Sequence, residues 1–299
     1  MLPQPLLETL EQALGGMPRA VRSLGVRDWS HTARIESNGQ PLVVKWQPHV
    51  LDVPHGWPSV VAAEALGLRA ITQTRTVRVP EVIAQGEQQG DRPAFVVIAW
   101  IEEAPTADQH KTGRVLGEQL ASMHRATADA FGFEQHTWCG STPQPNSWTT
   151  SWVEFYGQQR LGFLLELAAR NGYLPEARRR RLQDLIERLD TWIDDQAVQP
   201  SLIHGDLWSG NWLIDMTGRP VVIDPAAYYG DRELELAMCR LFGGFPDTFF
   251  RAYDDAWPPA PGRDDRIPLY QLYHLLNHLN IFGESYGAQV DRVLQRYAG

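Results

Sequence analysis

Asp206, Asn211 and Asp224 are the residues whose types and spacing can do chemistry. They fall in Ile203-His204-Gly205-Asp206-Leu207-Trp208-Ser209-Gly210-Asn211 and in the later Val221-Val222-Ile223-Asp224-Pro225. The spacing H-x-D-x-x-x-x-N, followed by an apolar strand ending in Asp, is the order in which phosphoryl-transfer sites place a catalytic base and two metal ligands. A substrate hydroxyl needs a carboxylate within hydrogen-bond reach to accept its proton, which makes Asp206 the candidate base. Mg2+ is a hard cation that takes oxygen ligands and sits against nucleotide phosphates with few protein groups, and Asn211 and Asp224 offer such oxygens. Singly, each of the three reads as a turn or strand-end residue. In this order, with Leu213-Ile214 and Val221 to Ile223 as short strands about a Thr217-Gly218 turn, they read as one centre.

A site for nucleotide phosphates also needs a cation. Of 27 basic side chains only Lys45 and Lys111 are lysines. Lys111 lies in the polar stretch Asp108 to Thr112 and reads as solvated, whereas Lys45 ends the apolar run Pro41-Leu42-Val43-Val44, where its head group needs an anion. It falls where a kinase lobe carries the lysine that grips the α- and β-phosphates of ATP, on the third strand. Its carboxylate partner belongs on the next helix, expected over 58–71, and Glu64 is the only acidic residue between Asp52 and Glu81. The connection Arg27 to His31 is expected to cover the phosphates. Ser30 and His31 would touch them through backbone or the Ser30 hydroxyl, although such connections usually carry glycines and only Gly25 is near.

The elements that must position these groups are legible in outline. Leu2, Leu6, Leu7, Leu10, Ala13 and Leu14 have helical spacing, stopped by Gly15-Gly16. Short strands follow at 21–26, 32–36 and 42–46, with Asn38-Gly39 as a hairpin signal, then strands at 81–85 and 94–100, the latter apolar enough to be buried on both faces. Glu102-Glu103-Ala104-Pro105 reads as a hinge, with backbone at Ala99 to Ile101 open to an adenine edge. Beyond it helices are expected at 113–125, 152–170, 176–192, 231–244, 245–257 and 269–282. His124 reads as structural, and His274, Asn277, His278 and Asn280 suggest that one side of the last helix meets a polar cleft. Residues 131–148 show neither period and read as an ordered binding loop or lid. Arg178 to Arg181 read as a solvated face paired with Asp184, Glu187 and Asp190 of the same helix.

The whole is an α+β, bilobal, protein-kinase-like chain, with a small antiparallel-sheet lobe over 1–102 and a larger, mainly helical lobe over 103–299. A length of 299 residues, 43% apolar and 21% charged, gives room for both cores. A formal charge of −9 argues against a nucleic-acid partner. The absence of a basic leader and of any membrane-length apolar run implies a cytoplasmic protein with no membrane partner. Cys139 and Cys239 read as reduced thiols.

Phe131-Gly132-Phe133, Trp138-Cys139-Gly140-Ser141-Thr142-Pro143-Gln144-Pro145-Asn146, His204 to Asn211, Asp224-Pro225-Ala226 with Tyr229-Gly230, and Leu241 to Pro246 together resemble the fructosamine-3-kinase (ketosamine-3-kinase) family. His-Gly-Asp-x-x-x-x-Asn alone would fit any aminoglycoside-, choline- or homoserine-kinase relative; the Trp208 loop and the Cys139 to Asn146 stretch narrow the resemblance. It implies ATP and Mg2+ as cofactors and transfer of the γ-phosphoryl group to the sugar 3-hydroxyl of a ketosamine, on a small amine or a glycated protein lysine, in a deglycation repair role. By position it makes Asp206 the base, Asn211 and Asp224 the metal ligands, and Lys45 with Glu64 the phosphate grip. Trp208, whose indole face attracts a cation, and His204 are expected to contact the substrate. The family's Gly-Gly pair over the phosphates is replaced here by Val26-Arg27-Asp28. The competing readings are another small-molecule kinase of the same fold and a nucleotide-binding module without turnover.

Overall fold

Alternation in the first hundred residues builds a sheet with two different faces. In the computed structural model, which describes every residue except 1, 28, 50, 52–55, 105, 107 and 299, five strands pair antiparallel in the order β1-β2-β3-β5-β4: β1 (Arg19–Arg27), β2 (Ser30–Ser37), β3 (Gln40–Trp46), β4 (Val82–Gly86) and β5 (Phe95–Ala99). Asn38 and Gly39 turn β2 into β3 with φ of +52° and +76°, the left-handed pair a two-residue hairpin needs. The β1–β2 connection is tighter than the expected Arg27 to His31 loop. Ser30 already pairs with Arg27, so Ser30 and His31 belong to β2, and Asp28 lies outside the described residues.

Leu42, Val44 and Trp46 of β3, with Ala33, Ile35, Phe95 and Val97, pack against Leu2 and against Leu6 and Leu10 of α1 (Gln4–Leu14). Val43, Val96 and Ile98 pack on the other face against Val61, Ala65 and Leu68 of α2 (Val60–Thr74). The period of two therefore puts Lys45, between Val44 and Trp46, on the face of α2 and Glu64. Ser59 caps α2, its Oγ accepting the Ala62 N–H at 3.2 Å, one residue after the proline expected to start it.

The rest of the chain is mainly helical. In order it comprises α3 (Gln109–His124), the hairpin β6 (Thr137–Cys139) and β7 (Thr142–Gln144), a helical run of α4 (Trp152–Glu154), a wide π segment (Phe155–Gly162) and α5 (Phe163–Arg170), and then α6 (Glu176–Glu187). After these come β8 (Ser201–Ile203), β9 (Trp212–Ile214), β10 (Pro220–Val222), β11 (Tyr228–Gly230), α7 (Arg232–Leu241), α8 (Asp247–Ala256), α9 (Arg263–Phe282) and α10 (Gly287–Ala298). Trp152, Tyr156, Tyr228, Tyr253, Tyr270, Phe155 and Phe249 are among its largest fully buried core side chains. This is the α+β, bilobal, protein-kinase-like architecture. Glu103 bridges Asp215, and the Ala104 N–H donates to Ile214 at 2.9 Å, so the crossing segment is laid along β9; Pro105 lies outside the described residues. We propose the lobe boundary at 102/103, where the sheet has ended and this crossing begins.

Three expectations need correction. Residues 131–148 are not without strands, because β6 and β7 pair about Gly140-Ser141. The chain does not close with α9, because α10 follows and packs on α6 and α9. Arg178 is buried and pairs with Glu284 at 2.6 Å and Asp291 at 2.8 Å, from the far end of the chain. Asp184, Glu187 and Asp190 stand beyond the three- or four-residue reach of that side chain on its own helix. Among the described residues, no helix is long and apolar enough to cross a membrane.

Candidate functional site

β8 delivers the chain into a turn that its neighbours hold from below. Gly205 has φ +83°, and a Cβ there would stand 2.2 Å from the Ala226 carbonyl oxygen, so the turn after His204 needs glycine on both counts. Asn211 folds back over the loop, its Nδ2 donating to the Asp206 carbonyl at 2.8 Å and to Asp206 Oδ2 at 3.3 Å. The Ile223 N–H donates to the Asn211 carbonyl at 2.9 Å, which ties the chain entering Asp224 to the loop carrying Asp206. The three residues read from the sequence thus share one wall.

His204, expected to contact the substrate, does not reach it. The side chain is fully buried. Its Nε2 donates to the Ile223 carbonyl at 2.8 Å, and its Nδ1 accepts the Asp206 N–H at 3.3 Å. Burial, opposed in part by the Glu235 charge, lowers its pKa, consistent with a neutral ring that offers one donor and one acceptor. His204 is therefore a strut that spaces Asp206 from Ile223. Glu235 of α7, which no motif marks, anchors the same loop: it is buried, accepts the backbone N–H groups of His204 at 2.8 Å and Gly205 at 3.2 Å, and pairs with His124 at 2.9 Å. The structural reading of His124, also held by Tyr253 at 2.7 Å, stands.

Across the cleft, Lys45 Nζ lies 2.7 Å from Glu64 Oε1 and 2.5 Å from Asp224 Oδ1. Burial works against the lysine charge, but Asp224 and Glu64 outweigh it and raise the pKa. Burial pushes the Glu64 carboxyl up as well, with Lys45 pulling it back. Asp224 has φ +58°, a left-handed backbone uncommon outside glycine, and its carboxylate is half-exposed at the cleft. Asp206 is half-buried, and burial together with the Asp224 charge pushes its pKa up to about 8.

These side chains line a cleft of about 580 Å³ between sheet and helices, within the usual size of a small-molecule site. Ser30 lines it; His31 does not, because the sheet's alternation turns its ring edge-on to Trp46 on the α1 face, 5.2 Å away. Trp208 lines it half-exposed, its ring folded across Gly210, where a Cβ would stand 2.3 Å from the indole. Ala99 and Ile101 lie outside that lining. The Ala99 N–H is already given to Glu81 at 2.9 Å, whereas among the described residues the Ile101 backbone has no hydrogen-bond partner, so of the two only Ile101 still has its N–H to offer an adenine edge. Of the polar side chains of α9, Asn277 and His278 border the cleft, while His274 is enclosed and Asn280 turns to Asn171 at 3.0 Å. The sequence places Arg27 and Trp29 in the connection over the phosphates and Cys139 and Gly140 in a binding loop or lid without giving any of the four a contact of its own, and all four line the cleft. An arginine beside a tryptophan where glycines are customary was the available signal for the first two.

Set against known proteins, residues 7–298 match the sequence model of the family described as fructosamine kinase. The chain is 42% identical over 236 residues to a "probable ketoamine kinase" of Synechocystis, covering 78% of this chain and 77% of the relative. It is 38% identical over 242 residues to the chloroplastic protein-ribulosamine 3-kinase of Arabidopsis thaliana, covering 80% and 72%. A solved structure from Thermobifida fusca, assigned to fructosamine-3-kinase, superposes with a TM-score of 0.84 at 34% identity over 97% of each chain.

Proposed function

The chain belongs to the fructosamine kinase family and is an ATP-using kinase, and from that premise we propose that it phosphorylates the sugar 3-hydroxyl of ketosamines, with Asp206 accepting the hydroxyl proton. The observation that carries this reading is the meeting, in one cleft, of the Lys45 ion pairs from the sheet and the Asp206–Asn211 pair from the helical lobe.

Roles follow from donors and charge. Lys45, paired with Glu64 and Asp224, presents its ammonium to the α- and β-phosphates. Asn211 spends its amide nitrogen on Asp206 and keeps Oδ1, and Asp224 keeps Oδ2, so the two present an oxygen-only donor set that fits Mg2+. Bound there, Mg2+ would supply charge neutralisation to the phosphates. Ser30 and Arg27 border the phosphate end and Trp208 offers its indole to the sugar or the cationic amine, while Ile101, outside the lining, would give its backbone N–H to the adenine edge. The products would be ADP and a 3-phosphorylated adduct. Release of the sugar from that adduct makes protein deglycation the biological role, and the protein-directed name of the plant relative supports a glycated lysine among the acceptors.

The test is ADP release with ATP, Mg2+ and lysine adducts of ribulose, erythrulose and fructose, run beside aminoglycoside and choline acceptors and an Asp206→Asn control. Turnover on a ketosamine, reduced about 10²- to 10⁴-fold in Asp206→Asn with nucleotide binding retained, is expected. Turnover confined to aminoglycosides or choline, or a fully active Asp206→Asn enzyme, would overturn the reading.

A further inference from the structure

Cys139 from the β6–β7 hairpin, Asp206 from the loop after β8, and His274 from α9 each place one ligand atom within 4.8 Å of the other two. His274 is fully buried, and among the described residues neither of its ring nitrogens has a hydrogen-bond partner. One helical turn on, buried Asn277 donates Nδ2 to Cys139 Sγ at 3.2 Å, and among the described residues its own Oδ1 is also without a partner. A buried polar group left unmet costs about 1–3 kcal/mol, and native folds keep such groups where something else satisfies them. Three unmet atoms on two adjacent turns of α9, facing a thiol and a carboxyl, mark a place built for more than packing.

We propose that Cys139, Asp206 and His274 form a site for a borderline-soft divalent transition ion, Zn2+ foremost, in the wall of the cleft. Thiolate, imidazole and carboxylate are zinc's usual donors. Around a tetrahedral zinc such donors lie about 3.3–3.8 Å apart, so side-chain shifts on the order of 1 Å close the cluster. Mg2+ prefers oxygens alone and has its own donor pair in Asn211 and Asp224. The Arg160 charge is felt at Cys139 and His274 and opposes a cation, but two anionic donors offset it. On binding, the Cys139 thiol gives its proton to solvent as the sulfur–metal bond forms, with no change of oxidation state. Cys139 and Asp206 border the cleft, which supplies the entry path and the fourth coordination position. The donor geometry alone carries the binding. Its consequence, inhibition, rests on the reading of Asp206 as base, since a carboxylate held by the ion cannot accept the substrate proton.

The full-length protein, with Mg2+ in excess, would be titrated with Co2+ as a spectroscopic stand-in and with Zn2+ against a chromophoric chelator. One equivalent of Co2+ with a thiolate-to-cobalt charge-transfer band is expected. Cys139→Ser should abolish the band and weaken Zn2+ by about 100-fold or more, and His274→Gln should weaken it comparably; circular dichroism checks that each variant is folded, and Cys139→Ser decides alone if His274→Gln is not. Zn2+ in slight excess should suppress ADP release in the wild type, and by a far smaller factor in Cys139→Ser relative to that variant's own zinc-free rate. Cobalt bound without a thiolate band, or zinc affinity unmoved in Cys139→Ser, overturns the site. Zinc bound as described without inhibition leaves the site standing and overturns Asp206 as the base.

Discussion

At the scale of single residues, Asp206 and Trp208 sit on one short loop and face different tasks. The Asp206 carboxyl is raised from the ordinary 3.8 to about 8 by burial and by the Asp224 charge beside it. A base works only ionised, so a raised pKa means activity lost below it and gained above it. The pH profile of kcat/KM reports the free enzyme, and that of kcat reports the loaded one. Mg2+ bound at Asp224 would offset the push from that charge, so the acid limb of kcat is expected at lower pH than that of kcat/KM for ATP with Mg2+. Acid limbs that coincide near 4 would remove Asp206 as the group responsible. Trp208 carries no proton. Trp208→Ala should raise the acceptor KM about 5- to 30-fold, the loss of a cation–π contact of about 1–2 kcal/mol, and leave the KM for ATP in place; an unchanged acceptor KM would sink its role as platform.

Among elements, the decisive contact runs between α7 and the loop after β8. Glu235 spends one carboxylate on two backbone N–H groups of that loop and on His124 of α3, so three segments meet at one buried group. Glu235→Gln keeps the shape but turns an NH2 toward N–H donors. At least one donor then loses its acceptor, at about 1–3 kcal/mol. Urea unfolding should show that loss, and kcat should fall with it because the loop holds Asp206. Unfolding and turnover both matching the wild type would show that water or a shifted backbone replaces the carboxylate. The motif around Asp206 was legible from order and spacing, and Glu64 from being the sole acid in its stretch. Glu235 was not, because a carboxylate that serves backbone amides 30 residues away leaves no local pattern. His204 is hidden for the opposite reason: closeness to Asp206 in sequence does not say whether a ring points into the cleft or beneath it.

For the molecule as a whole, stability and pH are coupled through buried imidazoles. Burial lowers the His274 pKa from 6.5 to about 3. Between these values the unfolded chain takes up a proton that the folded one refuses, so stability is full above about 6.5 and drains as pH falls toward 3. At pH 5 the share owed to His274 is about 2 kcal/mol. His274→Leu should flatten the fall in unfolding free energy between pH 7 and pH 5 by roughly that amount, and an unaltered slope would assign acid lability to other groups. The sequence by itself determined the succession of strands along the small lobe, the Lys45–Glu64 pairing and the Asp206, Asn211, Asp224 set, because each rests on local periodicity or on a motif whose members are near in the chain, whereas the insertion of β5 between β3 and β4 belongs to the tertiary structure. Tertiary structure alone decided that Ser30 faces the cleft while His31 turns away, that among the described residues Ile101 rather than Ala99 keeps its N–H unpaired, that Arg178 pairs with Glu284 and Asp291, and that Cys139, Asp206 and His274 converge. Those outcomes turn on a one-residue register in a hairpin and on contacts between segments up to 135 positions apart, and nothing local in a chain encodes either.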